Sequence, residues 1–158
     1  MTPENLETDL ATEIKKLFAG FLLKNSVGNY MPLNVWEDCT PLKTDVTDSD
    51  GQSVIDPYIV VRAVRGTTSD PGAHQNVTVD LIICVYDDET ERQGMKDLHH
   101  IIRVISLRFQ KEPLLAGAYS LLYPIDWMIS DEDTYPFYFG GMELHFELPV
   151  ITRENDLA

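Results

Sequence analysis

The sequence is short of basic residues: 12 Lys and Arg stand against 26 Asp and Glu, a formal net charge of −14. That deficit argues against a protein that binds nucleic acid by neutralising phosphates, which needs clustered Lys and Arg. It argues equally against docking on anionic membranes. Long apolar runs are also missing. The longest, Leu81-Ile82-Ile83-Cys84-Val85-Tyr86, has the length of a strand, well short of the roughly 18 residues of a membrane span. There are two cysteines, Cys39 and Cys84, both in apolar settings, and no basic, apolar leader at Met1–Glu7. Two reduced, packed thiols in a cytoplasmic protein are therefore expected. Phosphate-cradling glycine loops, a dinucleotide fingerprint and a nucleophile elbow are all absent.

What remains is 158 residues at 44% hydrophobic content, which suits one globular domain with its own core. The acids are unevenly placed. They gather in three stretches that read as loops: Asp45, Asp48, Asp50 and Asp56; Asp87, Asp88 and Glu89; and Asp131, Glu132 and Asp133. Residues 121–158 hold eight acids and one arginine, whereas 101–120 are mildly basic. Acidic loops are most simply solvated. The functional alternative is one acidic surface, or the lining of an oligomer.

Periodicity sets out the elements. Thr2 and Pro3 suit a helix start, and Leu6, Leu10, Ile14, Leu17 and Phe21 share one face. A helix over 2–24 is expected, stopped by Asn25, Gly28 and Asn29. A β-rich core follows over 31–87. It has a strand around Trp36, a loop over 41–57, a strand from Tyr58 to Arg65 and a central strand from Asn76 to Tyr86. Thr90-Glu91-Arg92-Gln93 reads as a capping box opening a second helix over 90–111, with Met95, Leu98, Ile102, Ile105 and Phe109 inward. A C-terminal hairpin spans 118–150, with a bulge or bend expected at Gly140-Gly141 and a half-buried strand from Met142 to Leu148. A polar tail, 151–158, ends the chain. Strands in runs rather than strict alternation predict an α+β fold: a mostly antiparallel, mixed sheet with two amphipathic helices on one face.

Few residues point to chemistry. His99 and His100 are adjacent on one helix, so they diverge and cannot chelate one ion together; the expected pair is one interface and one surface histidine. His145, with Glu143 and Glu147 on the polar side of its strand, reads as a cross-strand contact. The acidic loop fails as an EF-hand: with Gly51 at the sixth position, Val46 and Pro57 fall where acids are required. No metal, cofactor or catalytic residue is expected. Arg62 and Arg65 interrupt an apolar strand and would be costly in a core. They are expected to face solvent or a neighbouring subunit and to meet an acidic loop there. The candidate interface is therefore Arg62, Arg65, Asp45, Asp48, Asp50 and Asp56.

The strand Asn76–Asp87 leads into the helix Thr90–Phe109, and the final hairpin contains Tyr135-Pro136-Phe137-Tyr138-Phe139-Gly140-Gly141-Met142-Glu143-Leu144-His145-Phe146. This pattern resembles the small tail terminator proteins (tail completion, head–tail joining) of long-tailed bacteriophages and prophages. The resemblance covers residues 57–150, and the first helix fits it; the loop at 41–57 has no counterpart. It implies a non-enzymatic α+β subunit that forms a ring, typically a hexamer. The ring caps the tail tube, stops its polymerisation and presents a surface to the head or neck connector. It also implies DNA passing through without tight binding, assembly in the host bacterial cytoplasm and residence in the virion. Alternatives from the residues are another small phage morphogenesis protein, such as a minor capsid component or tail-assembly factor; a small metal-dependent hydrolase using His99 or His145 with nearby acids; and an acidic mimic of nucleic acid.

Overall fold

A computed structural model describes residues 2–41 and 55–150. Asp45, Asp48, Asp50 and the tail 151–158 lie outside the described residues. The element order is α1 (Pro3–Leu17), β1 (Leu22–Lys24), β2 (Tyr30–Pro32), β3 (Asn34–Glu37), β4 (Tyr58–Thr68), β5 (Gln75–Tyr86), α2 (Gly94–Lys111), β6 (Leu114–Leu115), β7 (Tyr119–Ile129) and β8 (Phe137–Leu148). The architecture is the expected α+β one. Six strands form a mixed sheet in the order β3-β4-β5-β8-β7-β6, antiparallel except where β3 runs beside β4.

Period-two alternation decides which face is buried. Val79, Leu81 and Ile83 of β5 align with Ala63, Val61 and Ile59 of β4, and Val77, Val79 and Leu81 align with Phe146, Leu144 and Met142 of β8. These side chains, nearly all buried, form one core with Leu6, Leu10 and Ile14 of α1 and Leu98, Ile101, Ile105 and Phe109 of α2. α1 lies on β3 and β4, while α2 lies on β5, β7 and β8. Arg108 Nε of α2 donates to Glu13 Oε1 of α1 at 2.6 Å, tying the helices together.

Four expectations need correction. The first helix stops at Leu17, not at 24, because Phe18-Ala19-Gly20 form a turn and Leu22–Lys24 pair with Tyr30–Pro32 as a small hairpin. Asn25, Gly28 and Asn29 are the turn of that hairpin, with Asn25 Oδ1 accepting from the Val27 and Asn29 N–H groups and Gly28 at φ 92°. The capping box does not form. Asp87 Oδ1 accepts from the Glu89 N–H, Arg92 takes φ 51°, and α2 begins at Gly94 with no side-chain cap at Gln93. Gly94 is required there because a Cβ would overlap the Tyr138 ring. Gly140-Gly141 make no bulge, since β8 pairs with β5 residue for residue; the irregularity lies on β7, between Leu122 and Asp126. Finally, the two thiols are free, but only Cys84 is buried and Cys39 is exposed.

Candidate functional site

The helices cover one face of the sheet. The other carries two rows of aligned side chains. One row is largely apolar: Trp36, Val60, Ile82, Gly141 and Met128 are successive partners across five strands. The Trp36 indole nitrogen is buried and has no hydrogen-bond acceptor among the described residues. The next row is charged: Arg62, Asp80, Glu143 and Asp126. Between the rows opens a depression of about 700 Å³, lined by Asp80, Ile82, Asp126, Met128, Phe139 and Gly141 among others. It is open because Gly141 puts no side chain into it.

Beside the charged row lies a small network. Arg65 Nη2 is 3.3 Å from Glu143 Oε1, and His145 Nε2 is 3.4 Å from the same oxygen. The other ring nitrogen of His145 is 3.1 Å from Thr78 Oγ1, which fixes the ring orientation. Asp126 completes a group with Glu143 and His145 in which the ligand atoms lie within 4.8 Å of one another. Two carboxylates and an imidazole suit a divalent cation, but the Arg65 guanidinium competes for Glu143. The clustering was not visible in the sequence, because it depends on strand register. His99 lies on the helix side, edge-on to Trp127 at 5.5 Å, and so cannot join His145 around one ion. His100 stacks near Phe21 at 4.9 Å.

The candidate interface residues divide. Arg62 and Arg65 share the uncovered face, both exposed; Arg62 Nε donates to the Asp38 carbonyl at 2.7 Å. Asp56 is turned inward, accepting from the Ser26 N–H and hydroxyl at 2.8 and 2.9 Å, so it is occupied within the chain. The two other acidic stretches are partly anchored: Asp88 pairs with Lys24 at 3.1 Å, and Asp133 with Arg92 at 2.7 Å.

A second feature escaped the sequence reading. Glu7 sits on the buried side of α1, with Oε2 lacking a hydrogen-bond partner among the described residues. Burial pushes its carboxyl up from 4.5 to about 7, helped by a hydrogen bond to Asp38 and its charge. Glu7 breaks the apolar pattern of its helix only as an apparent surface residue, which is why periodicity passes over it.

Neither a family model nor a curated protein matches the sequence. A solved structure known by a serial designation matches the fold at a TM-score of 0.54 and 10% identity, covering 94% of this chain and 93% of that one. This likeness shows the fold alone.

Proposed function

We propose that this chain is a structural subunit of the tail terminator class. It forms a ring, typically six-membered, that caps a phage tail tube and joins it to the head or neck connector. The observation that supports this reading most is strand β7. Tyr123, Trp127 and Met128 are 65%, 53% and 71% exposed along a strand at the side of the sheet. An exposed apolar strand edge is an aggregation hazard that folded proteins normally blunt, so its presence points to a partner. The negative charge fits a ring through which DNA passes without sticking. On this reading the protein is non-enzymatic and needs no cofactor, assembles in the host bacterial cytoplasm and ends in the virion.

Negative-stain microscopy of the concentrated protein, alone and mixed with tail tube protein, tests the reading. Annular particles with a central hole, or rings capping tube ends, are expected. A chain that stays monomeric and leaves tubes uncapped would count against it. The Asp126–Glu143–His145 cluster favours a second reading, a small metal-dependent hydrolase. Zinc binding in equilibrium dialysis that is lost in His145→Ala, together with zinc-dependent turnover, would move the balance to it.

A further inference from the structure

The sheet ends in two unpaired stretches at diagonally opposite corners. β3 covers β4 only over Tyr58–Val61, so Arg62–Thr68 has no strand beyond it among the described residues. β6 covers β7 only over Tyr119–Ser120, and the Leu121 N–H is taken by the Pro113 carbonyl, so Leu122–Ile129 has none either. The positions are staggered along the strands. Arg62 to Thr68 lie level with Asp80 to Gln75 of β5, whereas Asp126 to Ile129 lie level with Glu143 to Gly140 of β8.

The two open stretches are opposite in charge. β4 carries Arg62 and Arg65 and no acid. β7 carries Asp126 and no base, and Asp131, Glu132 and Asp133 follow it. Arg62, Arg65 and Asp126 all lie on the uncovered face. Strand direction also matches: β4, β5, β8 and β7 alternate, so β4 and β7 run in opposite senses. A sheet continued from β7 of one copy to β4 of the next is thus an antiparallel pair, with opposite charges side by side on one face.

We infer that the partner of the β7 edge is the β4 edge of a second copy of this chain. Asp126–Ile129 pairs with the Arg62–Thr68 stretch, head to tail. The inference rests on the ring reading and names its contact. Such an interface uses two different surfaces, so every added copy leaves one of each open until the circle closes. The irregularity at Tyr123–Ile125, with Pro124 lacking an N–H, ends the pairing on one side and so fixes its register. Across the interface the acid that meets the arginines is then Asp126 rather than the loop around Asp56, while within the chain Arg65 keeps its contact with Glu143.

Charge reversal with recombination tests this. In sedimentation velocity, Asp126→Arg and Arg62→Glu should each weaken assembly by about tenfold or more, leaving mainly the 17.9 kDa chain, with unchanged circular dichroism. An equimolar mixture of the two should reassemble, because the reversed β7 edge meets the reversed β4 edge and the native edges meet each other. Arg65→Glu replaces Arg62→Glu if loss of the bond to the Asp38 carbonyl unfolds the chain. Rings that persist in both single variants would overturn the edge pairing and leave the ring reading standing, as would folded variants that dissociate but fail to recombine. A native chain that never assembles, alone or on tail tubes, overturns the ring reading and the pairing with it.

Discussion

Replacing Glu7 by Gln should make stability at neutral pH higher and remove one pH-dependent term. Glu7 is 5% exposed, one of its carboxyl oxygens has no hydrogen-bond partner among the described residues, and Asp38 beside it adds like charge. In the folded chain it gives up its proton near pH 7, in the unfolded chain near 4.5. Below 4.5 both states hold the proton and its stabilising contribution is complete. Between 4.5 and 7 only the folded state holds it, so stability falls as pH rises; above 7 the loss is complete. At about 1.4 kcal/mol per pKa unit, the window spans about 3 kcal/mol, a substantial part of the stability of a small domain. Gln keeps the shape and can donate to Asp38, without a charge to desolvate. Urea unfolding followed by tryptophan fluorescence at a series of pH values, in both proteins, gives the difference directly and cancels the other carboxylates. Glu7→Gln should match the native chain near pH 4.5 and exceed it by about 2–3 kcal/mol at pH 8. A difference that stays flat across that range would refute the argument, as would a variant less stable at pH 8.

Three further outcomes follow from the packing. Gly94→Ala should lose about 2–3 kcal/mol, despite the better helix former, because the new methyl overlaps the Tyr138 ring; a thermal midpoint unchanged within error would contradict this. Burial pushes the Cys84 thiol up to about 12, so iodoacetamide at pH 8 should label only Cys39 in the native chain and both thiols in urea, whereas rapid double labelling of the native chain would be inconsistent with the core. Arg108→Ala should cost more than Glu13→Gln, about 2 against about 1 kcal/mol, since Arg108 also donates to the Glu112 and Leu114 carbonyls; denaturant midpoints in the reverse order would show that the Glu13 contact dominates.

Much of the fold was legible because burial and period agree. The second half of β8 alternates cleanly, β5 keeps every odd position from Val77 to Val85 buried, and α2 keeps its apolar face from Leu98 to Phe109. The failures share one cause: local signals that tertiary contacts overrule. Phe21 falls in helical register with Leu17 yet lies beyond the turn at Phe18-Ala19-Gly20, just ahead of the β1–β2 hairpin. Thr90 has the sequence of a cap, but the Tyr138 ring fixes the helix start at the residue that can bear its contact, Gly94. Met95, in phase with the core, is 40% exposed, although Gly94 before it is buried against the Tyr138 ring. Of the candidate interface, the two arginines were readable as charges interrupting an apolar strand. Their neighbours were not, because Asp126, Glu143 and His145 come together through a register that includes an irregular stretch on β7. That Asp56 turns inward depends on Ser26, thirty positions away.

Gly140 and Gly141 thin the sheet from both sides at one point. A Cβ at Gly140 would stand 3.5 Å from Leu98 Cδ2 on the helix side, while one at Gly141 would stand 3.1 Å from the Leu81 carbonyl. Whatever settles in the depression at Gly141 is therefore separated from the Leu98 side chain of α2 by bare backbone. The two neighbours also differ in what they meet: a methyl at 140 would crowd the Met128 carbonyl at 3.2 Å and only touch Leu98 on the helix side, whereas a methyl at 141 would crowd the Leu81 carbonyl at 3.1 Å beside the hollow. Consecutive positions in one strand thus tune the inside and the outside of the protein separately.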